Sequence, residues 1–339
     1  MTTQHSTRAD GALETSTMTA ITQHRYGGPE VLGLDTLPVP TPGPAEVLVK
    51  VHAGGLDRGT WHLMAGEPFV VRMMFGLGRP TQPVLGIDVA GVVVAVGDDV
   101  TRFAAGDEVF GIARGSFAEY AVATEAKLAK KPAAVSFEQA AVTPVSGLTA
   151  LQAVHDRGGV APGQRVLVIG ASGGVGTFAV QIAVALGATV TAVCSTRNVE
   201  LVRSLGAHDV IDYTERDVTD GDERFDVIFD VVGNHPLSKL RRILTPKGIL
   251  VLSSGSGGPV LGPIGRLIAA AFQNTFVSQQ LRPVTASANA ADLVELTALI
   301  DAGKVRPSIE RSYPLAETAE ALRHFGEQHA RGKIGISVL

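Results

Sequence analysis

The sequence predicts an α/β protein in which a small β-barrel is joined to a doubly wound parallel sheet. Three observations lead there. Residues 18–131 read as short strands cut by Gly and Pro turns, the pattern of a small barrel. From residue 136 helical and strand patterns alternate, which means a parallel sheet covered by helices. Within that alternation, residues 166–183 pass from a β-branched apolar run through a glycine cluster into helical apolar spacing.

The elements follow in order. Residues 1–17 are polar and rich in Thr and Ser. They lack the apolar core of a secretory signal and are expected to form a disordered tail. Met18 opens the first convincing strand, at 19–23. Pro38, Pro40, Pro42 and Pro44 make a turn or extended spacer before a strand at 46–52, and strands at 89–96 and 117–122 continue the barrel. Ser136 is placed to cap a helix, and helices near 137–157 lead to a strand at 165–169. A helix at 175–186, a strand at 189–193, a helix at 198–205 and strands at 209–212 and 225–230 come next. A helix at 237–244 ends before Pro246, and a strand at 249–252 follows. Helices near 290–302 and 316–329 precede a last strand at 333–339, which returns the chain to the barrel. The expected division is a tail at 1–17, the barrel domain at 18–136, the parallel-sheet domain at 137–275 and a return to the barrel domain at 276–339.

Composition narrows the function. A chain of 339 residues accommodates one large or two medium domains, and 45% hydrophobic with 18% charged residues suits a well-buried protein. A net charge of -4 gives no support for nucleic-acid or membrane-surface binding. No apolar run approaches the ~20 residues needed to cross a bilayer. The nearest, residues 260–272, carries Gly, Pro and Arg266 and is expected to line a pocket or an interface. A single cysteine excludes disulfide frameworks and cysteine-built metal clusters. A cytoplasmic location is expected.

The glycine segment carries the chemistry. A strand, a glycine turn and a helix build a phosphate site, because glycines let the backbone approach a pyrophosphate and the helix N-terminus supplies N–H groups and a positive dipole end. The first position of the G-x-G-x-x-G register is Ala171, followed by Ser172-Gly173-Gly174-Val175-Gly176. Gly173, Gly174, Val175 and Gly176 are expected to hold the pyrophosphate of a dinucleotide. An NAD site usually carries Asp or Glu about 20 residues on. None occurs between residues 177 and 199; Ser195, Thr196 and Arg197 stand there instead, two hydroxyls and a planar cation suited to a 2′-phosphate. NADPH is therefore the expected cofactor.

The arrangement resembles the medium-chain dehydrogenase/reductase superfamily, and within it the zinc-independent quinone oxidoreductase branch. The motifs that carry the resemblance run in order from residue 18 to 339. They are Gly-Gly-Pro-Glu-Val-Leu at 27–32, Pro-Val-Leu-Gly-Ile-Asp-Val-Ala-Gly at 83–91, Phe-Ala-Ala-Gly-Asp-Glu-Val-Phe-Gly at 103–111 and Gly-Ser-Phe-Ala-Glu-Tyr at 115–120. Pro-Val-Ser-Gly-Leu-Thr-Ala at 144–150, Leu-Gly-Ala-His-Asp-Val-Ile-Asp-Tyr at 205–213 and Gly332-Lys333 continue the series. The resemblance implies a GroES-like barrel and a Rossmann domain. Zinc relatives take a Cys after the strand at 47–52 and a His-Glu pair after the glycine at 86; here those places read Leu56-Asp57-Arg58 and Ile87-Asp88, so no metal site is expected. Cys194 is expected to pack or to sit in a loop.

The resemblance also assigns residues. Tyr213 is expected to flank the 2′-phosphate; Val232 and Gly233 lie where ribose and nicotinamide are held; Ser253 and Ser254 flank the carboxamide region; Thr149 lies near the nicotinamide and Lys333 by the cofactor. Asp57 stands where the branch often has Asn, by nicotinamide and substrate. It would orient water, bond a ribose hydroxyl or relay a proton, unless it is a turn carboxylate paired with Arg58. Trp61 would wall the pocket or belong to the core. Phe69, Phe75 and Phe272 fall in pocket regions that vary across the family. Without zinc there is no Lewis acid, so acceptors that delocalise charge fit best: quinones and α,β-unsaturated carbonyls. The expectation is an NADPH-dependent reductase of such small molecules. The alternatives are a zinc-free carbonyl or alcohol dehydrogenase, an enoyl-thioester reductase, and a non-catalytic NADPH-binding sensor or structural protein. A homodimer through the edge strand of the nucleotide sheet, expected near 249–252, is implied by the same resemblance.

Overall fold

Two large sheets divide the chain, and the last strand of one returns to touch the other. The computed structural model describes residues 16–253, 264–327 and 331–339. The barrel opens with β1 (Thr17–Gln23), antiparallel to β2 (Leu32–Pro38) in a sheet of their own. β2 is absent from the sequence reading, which gave Pro38 to a spacer. Its half-exposed pattern carries little periodicity, and Pro38 ends an edge strand, where a missing N–H breaks no ladder.

β3 (Glu46–Leu56) leads through two short helices, α1 (Arg58–Ala65) and α2 (Phe69–Phe75), to β4 (Asp88–Val96); β5 (Glu108–Ile112), β6 (Tyr120–Thr124) and β7 (Leu128–Lys130) follow. Val47, Val49, Val51, Val89, Val93 and Val109 fill the barrel interior. Phe117 lies ahead of β6 rather than in it. Its N–H bonds Leu85 O and its carbonyl takes the Ile21 N–H, so this stretch is stitched to β1 instead.

α3 (Phe137–Ala141) begins with a capping box: Ser136 Oγ accepts the Gln139 N–H and Gln139 Oε1 accepts the Ser136 N–H. Pro144 then opens α4 (Pro144–Leu151), which continues into a π-helical turn over Gln152–Arg157. The helical stretch read at 137–157 is thus divided ahead of Pro144, which has no N–H to carry the first helix onward.

The parallel domain contains β8 (Arg165–Ile169), α5 (Gly174–Ala185), β9 (Thr189–Cys194), α6 (Val199–Ser204), β10 (Asp209–Asp212), β11 (Phe225–Asp230), α7 (Leu237–Arg242), β12 (Leu244–Leu252), α8 (Ile264–Asn274) and β13 (Gln280–Pro283). Among the described residues its strands form one parallel sheet in the order β10-β9-β8-β11-β12-β13. The order reverses between β8 and β11, and ligands of such sheets bind outside the strand ends at that point. Two expectations are corrected. The sheet continues past residue 275, because β13 is its edge strand, so the return to the barrel starts after Pro283. β12 is not an edge, since it pairs with β11 on one side and β13 on the other. The sequence Gln-Leu-Arg-Pro of β13 is too short and polar to show a strand period. Of the apolar segment at 260–272, residues 260–263 lie outside the described residues, as do residues 1–15 of the tail; the rest belongs to α8.

α9 (Ala290–Asp301), β14 (Ile309–Pro314), α10 (Thr318–Glu327) and β15 (Lys333–Ser337) complete the chain. β15 pairs antiparallel with β3 and parallel with β14, which gives the barrel sheet the order β14-β15-β3-β4-β5-β7, with β6 also on β3. Residues at the start of β15 therefore stand beside the end of β3 and the start of β4, facing the parallel domain.

Candidate active site

The chain leaves β8 through Gly170, whose φ of +84° lies in the left-handed region that glycine adopts without strain. Gly173 is the N-cap of α5 and offers no side chain to occupy the helix start. The first N–H groups of α5 are thus left for an anion. A Cβ on Gly176 would lie 2.1 Å from Gly170 O, so only glycine lets the helix settle this close to the turn. A Cβ on Gly174 would lie 2.9 Å from Lys333 Cδ, and Val175 packs half-buried against the domain core. The barrel holds this turn directly: Gly332 N–H donates to Ser172 O at 2.8 Å and Gly173 bridges Gly332. Lys333 is only 2% exposed and is no surface lysine.

The exit of β9 lies alongside. Buried Asn198 donates through Nδ2 to Ser172 Oγ at 3.1 Å and to Ser195 Oγ at 3.2 Å, which ties the glycine turn to the Ser195 loop. Thr196 Oγ1 shares a 3.0 Å hydrogen bond with Thr214 Oγ1. Arg197 is exposed. Tyr213 has its N–H on Cys194 O at 3.1 Å while 55% of the residue is exposed, so it is not a packed strand-end aromatic. Asp212, also at this edge, is held below the usual carboxylate range by hydrogen bonds from Thr196 and Thr214. The Cys194 thiol is buried; burial pushes it up to about 11, Asp212 adds to the rise and Arg203 opposes it, so the sulfur stays protonated at neutral pH.

At the exit of β11, fully buried Asp230 organises the loop. Its Oδ1 accepts the N–H of Val232 at 3.2 Å and of Gly233 at 2.8 Å, and its Oδ2 takes Arg266 Nη2 of α8 at 2.6 Å. Ser253 N–H reaches Asp230 O at 3.2 Å; Ser254 lies outside the described residues. The sequence reading missed Asp230 and Arg266. An acid closing a buried strand was the available signal for the first, and Arg266 was noted only as a break in an apolar run.

On the barrel side, Asp57 caps α1, its Oδ1 accepting the Thr60 N–H at 2.8 Å, while buried Oδ2 has no partner. Arg58 stacks on the Phe325 ring at 4.9 Å. Trp61 turns toward α10: its ring lies 6.3 Å from that of Phe325, and a Cβ on Gly326 would meet it at 2.5 Å. It packs on the core cluster there, apart from the glycine turn. Asp88 is the residue the sequence hid. It is 0% exposed, its Oδ1 accepts the Val145 N–H of α4 at 2.9 Å, and its Oδ2 stands 3.6 Å from Lys333 Nζ. Burial pushes its carboxyl up to about 8; Lys333 pulls it down and Asp57 pushes it further up. Strand pairing explains the meeting, since Ile334 faces Leu56 and Gly55 faces Asp88. Thr149, one turn beyond Val145, donates its hydroxyl to Val145 O at 2.7 Å. Among the described residues no three His, Cys, Asp or Glu side chains gather as metal ligands, and no helix is long and apolar enough to cross a membrane.

Comparison with known proteins agrees with this layout. The alcohol dehydrogenase GroES-like domain family matches residues 43–133, and the zinc-binding dehydrogenase family matches residues 205–335. The chain is 35% identical to the chloroplast envelope quinone oxidoreductase homolog of Arabidopsis thaliana, over 94% of this chain and 97% of that one. It is 32% identical to the quinone oxidoreductase of Homo sapiens, over 95% of this chain and 97% of the relative. The quinone oxidoreductase structure from Coxiella burnetii superposes with a TM-score of 0.84 at 31% identity, covering 96% of this chain and all 100% of that one. The Escherichia coli quinone oxidoreductase, solved in complex with NADPH, superposes with a TM-score of 0.80 at 27% identity, covering 94% and 100%.

The buried carboxyl has a measurable consequence. An unfolded aspartate ionises near 3.8, whereas Asp88 keeps its proton up to about 8 in the folded chain. Between those values the folded state binds more protons, so its stability falls as pH rises. Asp88→Asn keeps an oxygen for the Val145 N–H and removes this titration. Relative to the variant, the wild type is expected to lose unfolding free energy as pH rises from about 5 to 8. Parallel denaturation-versus-pH curves would contradict this.

Proposed function

The chain belongs to the quinone oxidoreductase-like branch of the medium-chain dehydrogenase/reductase superfamily, an oxidoreductase by descent, and from that premise we propose that it is a zinc-independent reductase transferring hydride from NADPH to quinones or α,β-unsaturated carbonyls. The observation that carries the reading is the crevice edge where an uncapped helix start meets Ser195, Thr196 and Arg197, with Asp212 at the same edge already bonded by Thr196 and Thr214. The NADPH-bound Escherichia coli relative supports the same cofactor here. Gly173, Gly174, Val175, Gly176 and Lys333 would hold the diphosphate. Ser195, Thr196, Arg197 and Tyr213 would hold the 2′-phosphate. Val232, Gly233 and Ser253 would flank the ribose and nicotinamide, with Thr149 near the nicotinamide. When bound, NADPH supplies the hydride from its nicotinamide ring.

The donor set does not suit zinc. Catalytic zinc takes three converging N, S or O ligands. Here Ile87 offers none, Asp88 is engaged by Val145 and Lys333, and Asp57 uses one oxygen on α1. The acceptor must therefore spread its own developing charge, as quinones and enones do. Asp57 Oδ2, buried without a partner, is the group placed to hold a water or ribose hydroxyl and pass a proton. Trp61 is better read as packing that steadies α1 than as a pocket wall. A homodimer would use β13, one of the two edge strands of the parallel sheet, the other being β10.

The direct test is NADPH oxidation against a panel of quinones and enones. Turnover is expected on some members, and tight NADPH binding with no turnover on any would replace the enzyme by a cofactor-binding protein. Arg197→Asp should cut kcat/KM for NADPH about 10- to 100-fold, the worth of a charge-assisted hydrogen bond, and leave NADH little changed. Equal losses for both cofactors would remove Arg197 from the phosphate site. Asp57→Asn keeps the helix cap and removes the charge; it should lower kcat about 10-fold or more with stability kept within about 0.5 kcal/mol. Unchanged turnover would exclude Asp57 from the proton's path.

A further inference from the structure

Beneath the glycine turn three ionisable side chains are buried: Asp57 at 5% exposure, Asp88 at 0% and Lys333 at 2%. Lys333 Nζ stands 3.6 Å from Asp88 Oδ2, and Asp57 acts on Asp88 as a second acid. We propose that Asp88 is a proton-holding residue coupled to the cofactor: in alkaline solution, where Asp88 is ionised against Lys333, the diphosphate draws Lys333 toward the start of α5, Asp88 loses its counter-ion and takes a proton from solvent, so that NADPH there binds together with a proton. This rests on the reading that the glycine turn receives the diphosphate.

The geometry makes Lys333 the partner that can be shared. At 3.6 Å its Nζ pairs with Asp88 Oδ2 beyond hydrogen-bond length, and neither atom has a hydrogen-bond partner. The lysine stem already lies against Gly174 in the first turn of α5. Asp88 is held in place: its Oδ1 accepts the Val145 N–H at 2.9 Å and the residue is 0% exposed.

The charge balance decides the response. A buried charge persists only when paired, and a second anion nearby raises the proton affinity of a carboxyl. With all three groups ionised the cluster carries one net negative charge, and the diphosphate adds two more at its edge. Protonation turns the Asp88 carboxylate into a neutral acid, which still accepts the Val145 N–H through Oδ1 and releases Lys333 to the phosphates. Burial already holds Asp88 at about 8 against the pull of Lys333, so sharing that lysine moves it higher. Among the described residues the charged groups acting on Asp88 are Lys333 from β15 and Asp57 from the end of β3. α4 carries no ionisable side chain, α3 carries Glu138, and Glu108 of β5 stands opposite Val92, further along β4.

The sign follows. Below about pH 8 Asp88 is already protonated and cofactor affinity is flat; above it, affinity falls by up to about tenfold per pH unit. The test is calorimetric titration of the full chain with NADPH at pH 8.5 in two buffers of different ionisation enthalpy, where the phosphates of the cofactor are fully ionised. The wild type is expected to take up at least about 0.3 proton per NADPH, and Asp88→Asn none. Binding without proton uptake overturns the coupling and leaves the cofactor site standing, whereas no binding at all overturns the cofactor site itself. Equal uptake in Asp88→Asn moves the proton elsewhere and also overturns the proposal. Should that variant not fold, wild-type affinity between pH 7.5 and 9 decides: a flat profile contradicts the coupling.

Discussion

One backbone hydrogen bond fixes the working end of this molecule: Gly332 N–H to Ser172 O, which fastens the last barrel strand to the glycine turn of the parallel domain. Both partners are backbone atoms at the tips of rigid elements, so the contact sets register as well as proximity. Because β15 also lies antiparallel on β3, the same register brings Lys333 beside Asp57 and Asp88. A slip of one residue would turn Lys333 to the opposite face of the sheet. The uncapped start of α5, the buried contact of Asp88 with Lys333 and the α1 cap thus share one mechanical origin.

Much of this was legible in the sequence where the signal is local. The strand, glycine turn and helix of β8 and α5 lie within about twenty residues, and each has its own period or punctuation. The hydroxyl-rich exit of β9 could be read for the same reason. The meeting of Asp88 with Lys333 could not, because nothing in either neighbourhood announces that three strands distant in sequence will end side by side. Asp230 and Arg266 failed for a related reason: the arginine sits in an apolar run whose meaning depends on what the helix packs against. β2 and β13 escaped because a half-exposed strand with Gly and Asp, and a four-residue edge strand ending in Pro, carry almost no period.

Departures from zinc relatives also have a physical order. Losing the ligand at Ile87 does not by itself forbid a metal; the fate of the remaining donors matters more. Asp57 is turned to capping a helix, and Asp88 is enclosed between a helix N-terminus and a lysine. Acids so engaged serve the packing of the barrel against the parallel domain.

The Asn198 side chain adds a consequence of another kind. By gripping Ser172 and Ser195 at once, it sets the spacing between the helix start and the β9 exit before any ligand arrives. On the proposed reading those are the seats of two phosphate groups of one molecule. The protein then works as a ruler, selecting its cofactor by the length of the link between anions as much as by their charge. A ruler cut in advance also spares the entropy of assembling two separate seats, so each phosphate strengthens the hold of the other.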